Sequence, residues 1–401
     1  MAEVFLFQHL MFKKRDRYLM LTVDTEALSH RATDDHVRRL MLGEQEAGTA
    51  GVREMVAIGD EFNAKHIFFV DMCGAYDRLT EIQGVIRYLD QAGHDVQLHT
   101  HPEKLPASYW ETRGFAPRPR LMNEYTTDAR AQLIIREFAG LLSEQTGKPV
   151  LGHRAGSFRW NASTLRALFD AGIPVSFNNS SVAVKAGQAV YAKRTNWPFE
   201  WSNGIIEVPM TERAVFNRVR KDHWHARLTY PESHYFHFRP WWGPLLLNTL
   251  SDDLDFAVFL LHSWSFLDRD ENGIFYYKDD RKVENYRKML RRLTKDYDVI
   301  TTAEFLELQA LGKIPLGGVE DVRSAELIVP AIKPKKIKPK TKKIDKTKTE
   351  PKPASKKVDT KKAEVKASEV KKPETDKKEV TKVEDKETSK KSIENASESS
   401  H

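Results

Sequence analysis

The chain has 401 residues, 40% of them hydrophobic, with 64 Lys plus Arg against 57 Asp plus Glu and a formal net charge of +7. That length and apolar content suffice for one large buried core, and a single cysteine, Cys73, excludes an intramolecular disulfide framework. No run approaches the roughly 20 apolar residues of a membrane span. Val4-Phe5-Leu6-Phe7 is too short, and too poor in flanking basic charge, for an export signal, so a cytoplasmic location is expected.

The positive charge is concentrated at one end. Residues 331–401 hold 23 Lys against 13 Asp plus Glu, with no aromatic residue and no glycine. Such a mixture buries too little apolar surface to offset the entropy of ordering, and residues 329–401 are expected to form a disordered tail. It acts either as a solubilising extension or through weak contacts with anionic surfaces; no specific nucleic-acid partner is implied.

Ahead of the tail, apolar runs alternate with amphipathic stretches. A strand is predicted over Tyr18–Val23, a helix over Gly51–Asn63, a strand over His66–Val70 and a helix over Leu79–Ala92. Cys73, just beyond Phe68-Phe69-Val70-Asp71-Met72, reads as a packed thiol. A strand leading to His99 follows, then a helix over Thr127–Thr146, and Asn161-Ala162-Ser163 reads as the cap of a helix running through Ala171. Further strands are expected at Val175–Phe177, Ile205–Val208 and Val258–Leu261, with a helix at Val283–Tyr297 and a last strand at Val299-Ile300. This alternation predicts a parallel α/β barrel or sheet.

Four of the apolar runs end in ionisable side chains. Tyr18–Val23 ends in Asp24-Thr25-Glu26, and the run through Val96 and Leu98 ends in His99-Thr100-His101-Pro102-Glu103. Val150-Leu151-Gly152-His153 leads into Arg154-Ala155-Gly156, and Phe256–Leu261 into His262-Ser263-Trp264. Strand ends are where α/β enzymes keep their chemistry. Imidazole nitrogens and carboxylate oxygens suit zinc or a similar divalent ion, and paired carboxylates let one hold a cation while the other handles a proton.

In this order and spacing the four segments resemble the polysaccharide deacetylases, the carbohydrate esterases of NodB homology, over roughly Arg17 to Leu311, and more narrowly the divergent branch associated with surface-polysaccharide biosynthesis. The resemblance implies a distorted (β/α)7-type barrel over residues 15–315 with its active site at the carboxyl ends of the strands. It implies Asp24 as catalytic base, Arg154 as the cation that holds the base, and His262 as general acid. Two departures matter. Thr25 stands where the family has a metal-binding aspartate, which leaves Glu26 as the substitute ligand, with the roles of Asp24 and Glu26 open to exchange. The family's second metal histidine falls on Glu103, so beside His99 either Glu103 or the neighbouring His101 completes the set.

Residues 196–243 form an aromatic-rich insertion with Trp197, Trp201, Trp224, Trp241 and Trp242, read either as a wall for sugar rings or as self-packing core. Trp264, Trp241 and Trp242 are the candidate substrate contacts. The expected activity is metal-dependent removal of N-acetyl groups from acetamido sugars of a surface or envelope glycan, with zinc as default ion. Hydrolysis of other non-peptide C–N bonds, or a degraded, purely carbohydrate-binding barrel, are the alternatives.

Overall fold

The computed structural model describes residues 16–116, 125–217, 222–231 and 254–327. Within them, β1 (Tyr18–Thr25), β2 (His66–Asp71), β3 (Asp95–Thr100), β4 (Gly152–Ala155) and β5 (Val175–Ser176) alternate with α1 (Val52–Glu61), α2 (Leu79–Gln91), α3 (Asp128–Thr146) and α4 (Ala162–Asp170). There follow β6 (Phe199–Trp201), β7 (Ile206–Glu207), β8 (Phe256–His262), α5 (Arg281–Asp296), β9 (Asp298–Val299), α6 (Thr302–Ala310) and β10 (Val319–Glu320). These ten strands belong to one sheet, in the order β8-β1-β2-β3-β4-β5-β7-β6-β10, with β9 paired to β1, and among the described residues six further strands pair in three two-stranded sheets. From β8 to β7 every pairing is parallel, which makes seven consecutive parallel strands.

Parallel strands are buried on both faces, and β1 shows it: all eight of its residues are buried. The sheet is strongly curled. β1 and β4 are three places apart, about 14 Å in a flat sheet at the usual strand spacing, yet Arg154 Nη1 on β4 lies 2.6 Å from Asp24 Oδ1 on β1. Its guanidinium crosses the interior over the ring of Phe69 from β2, 4.3 Å from the centroid. The outer edges of the parallel run are also drawn together. Leu228 N donates to Thr211 O, while Leu260 N of β8 donates to Leu228 O and Tyr230 N to Leu260 O. Backbone hydrogen bonds from two loop segments thus take the place of an eighth strand, giving the incomplete seven-stranded barrel that the resemblance implies.

Local chemistry sets the element ends. Thr127 Oγ1 caps α3 by accepting from Arg130 N, and the helix stops at Gly147, whose φ of +67° suits a residue without Cβ. Asn161 Oδ1 accepts from Ser163 N and opens α4 where the sequence placed its cap. Cys73 is buried, as expected for a packed thiol. No helix of the described residues is long and apolar enough to cross a membrane.

At the amino ends of the strands lies a buried polar cluster. His94 Nδ1 accepts from His66 N at 3.0 Å, and His66 Nε2 meets the Tyr286 hydroxyl at 2.7 Å. Of the aromatic-rich stretch, Glu212–Asn217 and Asp222–Arg227 pair as a separate antiparallel hairpin, and the rest of its described part is built into the barrel. β6 and β7 lie within it, and Trp201 is fully buried against Trp160, Phe199 and Tyr191, its Nε1 donating to Glu207. Packing on this scale contributes about 1.5–3 kcal/mol per large apolar side chain. Trp197 Nε1 donates to Pro315 O, with the ring against Phe256.

Candidate functional site

Strand register gathers the chemistry at the carboxyl ends. Asp24 pairs with His262 across β1 and β8, Asp71 with His99 across β2 and β3, and His99 with Arg154 across β3 and β4. Glu26 follows β1 directly and His101 follows β3, so the loops leaving two strands add one side chain each.

Glu26 lies between two imidazoles. Its Oε1 is 3.0 Å from His99 Nε2 and 3.4 Å from His101 Nε2, and all three residues are buried. Their tautomers follow from what the other ring nitrogens do. His99 Nδ1 faces the carbonyl of Arg154 at 2.8 Å, and His101 Nδ1 faces Glu103 Oε1 at 2.8 Å. A carbonyl and a carboxylate can only accept, so both Nδ1 atoms donate. Both Nε2 lone pairs of the neutral rings then point toward one carboxylate, and His101 Nε2 has no hydrogen-bond partner. Three acceptors converging in a buried space require a proton or a cation among them. One carboxylate oxygen and two imidazole nitrogens, each imidazole oriented from behind by an acceptor, are the donor set and outer support of a zinc-type centre. The residues present therefore fit a divalent ion.

Burial alone would raise the Glu26 carboxyl, but His101 and His99 outweigh it and hold the group well below the usual carboxylate range. The histidines move the opposite way: burial would lower them, and Asp24 with Glu26 for His99, and Glu26 with Glu103 for His101, raise them instead.

Asp24 has a different partner. Arg154, fully buried, donates from Nη1 to Asp24 Oδ1 and from Nη2 to Thr22 Oγ1 at 3.0 Å. Against the cost of burial, Arg154, His99 and His262 keep the Asp24 carboxyl below its ordinary value. Asp24, Glu26 and His262 each present one ligand-type atom within 4.8 Å of the others. Burial lowers the His262 imidazole, partly offset by Glu26 and Asp24. Its ring stacks on Trp264 with centroids 5.1 Å apart.

Each expected site residue can now be placed. Asp24, Glu26, His99, His101, Arg154 and His262 come together, and Trp264 lies beside His262. Glu103 stands behind His101 and outside the ligand cluster, because the turn Pro102–Lys104 carries it to the far side of the ring. The Thr25 hydroxyl is taken up by the carbonyl of Val23. Trp241 and Trp242 lie outside the described residues, as do residues 329–401.

Sequence reasoning missed the supports. Asp71, fully buried at the end of β2, accepts from the backbone N–H groups of His101, Cys73 and Gly74, and so fixes where the His101 backbone sits. Asn178 Oδ1 accepts from Ala155 N at 2.6 Å and steadies the segment that carries Arg154. Ser263 Oγ lies 3.3 Å from Glu26 N. Asp71 had a readable signal, since it too ends an apolar strand in an ionisable group.

No family model matches the sequence, and no curated protein matches it. Solved structures similar to the chain include a candidate polysaccharide deacetylase from Mycobacterium smegmatis, at 14% identity, covering 80% of this chain and 96% of that one with a TM-score of 0.45. A 4-alpha-glucanotransferase from Thermococcus litoralis is similar at 14% identity, covering 75% and 39% with a TM-score of 0.43. The catalytic domain of a peptidoglycan N-acetylglucosamine deacetylase from Eubacterium rectale is similar at 12% identity, covering 73% and 92% with a TM-score of 0.33.

Proposed function

We propose that this chain is a metal-dependent hydrolase that removes N-acetyl groups from acetamido sugars of a surface or cell-envelope glycan. The observation that carries this reading is Glu26 Oε1 set between two buried imidazole nitrogens, beside an aspartate held by a buried arginine. Glu26, His99 and His101 would hold the ion, with zinc the best match to two nitrogens and one oxygen. Bound there, a divalent ion would supply Lewis acidity toward the amide carbonyl and toward a water molecule.

The remaining steps belong to the chain. Asp24, kept ionised by Arg154, takes a proton from the attacking water as its oxygen bonds to the amide carbon. His262 lies beside Asp24 and Glu26 and, in its protonated form, gives a proton to the departing nitrogen as the C–N bond breaks, so acetate and a free amine leave. Trp264 stacks on the His262 ring and limits its rotation.

The test is elemental analysis of the purified full chain together with acetate release from N-acetylated amino sugars. Stoichiometric metal and acetate release are expected. His99→Ala should lose both metal and turnover, whereas His262→Ala should keep metal and lose turnover. A protein that binds sugars but no metal would be a binding barrel. A metalloprotein that spares acetamido sugars yet opens other amides would be a different C–N hydrolase.

A further inference from the structure

Beside His262 the surface opens into a cleft of about 370 Å³ whose wall includes Trp264 and Phe275. Its charge is one-sided. Arg31, Arg227, Arg269 and Lys282 line it, against the single acid Asp268, which is already paired with Lys282 at 3.0 Å. Arg227 is engaged too, donating to Ser180 Oγ at 2.6 Å and lying 3.5 Å from Glu212.

Arg31 is different. It sits in the short turn Ser29–Arg31 that leaves the Glu26 end of β1, its guanidinium 5.6 Å from the ring centres of both Trp264 and Phe275. Its Nε is buried without a hydrogen-bond partner, and the carboxylate whose charge acts on it is that of Glu26 in the cluster. Arg269, at the exposed lip of the cleft, has no carboxylate partner among the described residues. A half-buried guanidinium loses hydration, and neither aromatic face offers its N–H groups an acceptor. The rings hold the planar fork in place, which is the arrangement that suits a two-oxygen anion.

We infer that this cleft is an anion subsite, in which Arg31 with Arg269 receives a carboxylate or phosphate on the sugar whose acetamido group lies at the metal cluster. The inference rests on the deacetylase reading for the identity of the sugar, and on the cleft alone for the anion. A uronic-acid carboxylate and a sugar phosphate share the chemistry that the guanidinium recognises.

The experiment compares three ligands of the full chain by calorimetry: N-acetylglucosamine, its 1-phosphate and the matching acetamido uronic acid, with acetate release measured in parallel. The wild type is expected to bind at least one charged sugar about tenfold or more tighter than the neutral one, as a charge-assisted bidentate contact provides. Arg31→Gln should remove that preference, and Arg269→Gln, a change at an exposed position, should reduce it by about two- to fivefold. Preference for the phosphate or for the carboxylate identifies which anion the natural substrate carries. Equal affinity of the wild type for all three sugars, or a preference untouched by either substitution, overturns the inference. If the charged sugars bind in an Arg31-dependent way but none releases acetate, the anion subsite stands and the deacetylase reading falls.

Discussion

Glu103 Oε1 accepts a hydrogen bond from His101 Nδ1 at 2.8 Å, and this contact decides which imidazole nitrogen faces Glu26. Without that acceptor the ring can adopt the other tautomer or turn, and Nε2 no longer presents a lone pair to the cluster. Glu103→Ala is therefore expected to weaken zinc binding by about 10- to 100-fold, while His101→Ala removes a donor outright and weakens it further. Competition with a chromophoric chelator reads both, and equal losses for the two variants would make Glu103 a ligand rather than a support.

Gly156 packs against the same ring. A Cβ built there would stand 2.3 Å from His101 Nδ1 and 2.4 Å from its Cε1, inside any permitted contact. Gly156→Ala should displace the imidazole, lowering zinc affinity although no ligand is changed, and costing about 1–3 kcal/mol of stability as overpacking does. A variant with native zinc affinity and native melting temperature would show that His101 has room the packing does not suggest.

Much of this arrangement is legible in the chain, and the parts that are not share a cause. Long apolar runs ending in Asp24, His99 and His262 mark strands because both the run and its polar end are local properties, and the element ends fall within about two residues of those expected. β6 and β10, of three and two residues, are too short to show any alternation. Trp201 reads equally as sugar platform or core because an aromatic side chain suits both, and only its complete burial decides. Glu103 falls at a ligand's spacing from His99, but the turn at Pro102 sets its direction, and spacing does not encode direction. Asp71 is readable as the ionisable end of a strand, but its acceptance of the His101 N–H, like that of the Ala155 N–H by Asn178, joins distant segments and leaves no trace in local pattern.

Arg154 ties the barrel interior to the chemistry, so its loss should be felt in both. Substitution by Met leaves Asp24 buried without its cation, and breaking a buried pair in this way costs about 3–5 kcal/mol. Arg154→Lys keeps the charge but cannot reach Asp24 Oδ1 and Thr22 Oγ1 with one planar fork. The lysine variant should retain zinc, since Arg154's side chain touches none of the three ligands, while kcat/KM falls by about 100-fold. Loss of zinc in a folded Arg154→Lys protein would place the arginine in the metal site instead.

The opposite end of the barrel predicts how stability depends on pH. Burial, with Lys65 adding to it, lowers the His94 imidazole from 6.5 to about 4, and burial with His94 and Lys65 drives His66 well below its ordinary value. Both rings are neutral in the folded protein near pH 7, whereas in the unfolded chain they titrate near 6.5. Between these values the unfolded state binds more protons, so stability that is fully present above about pH 6.5 is lost as the pH falls toward 4. His94 alone accounts for about 3 kcal/mol across that window. Urea midpoints measured from pH 7.5 down to 4 should therefore fall more steeply for the wild type than for His94→Asn, whose amide oxygen takes the place of Nδ1 and can still accept from His66 N but does not titrate. Because the two proteins differ only at His94, parallel curves would mean that this imidazole takes up its proton in the folded state as readily as in the unfolded one.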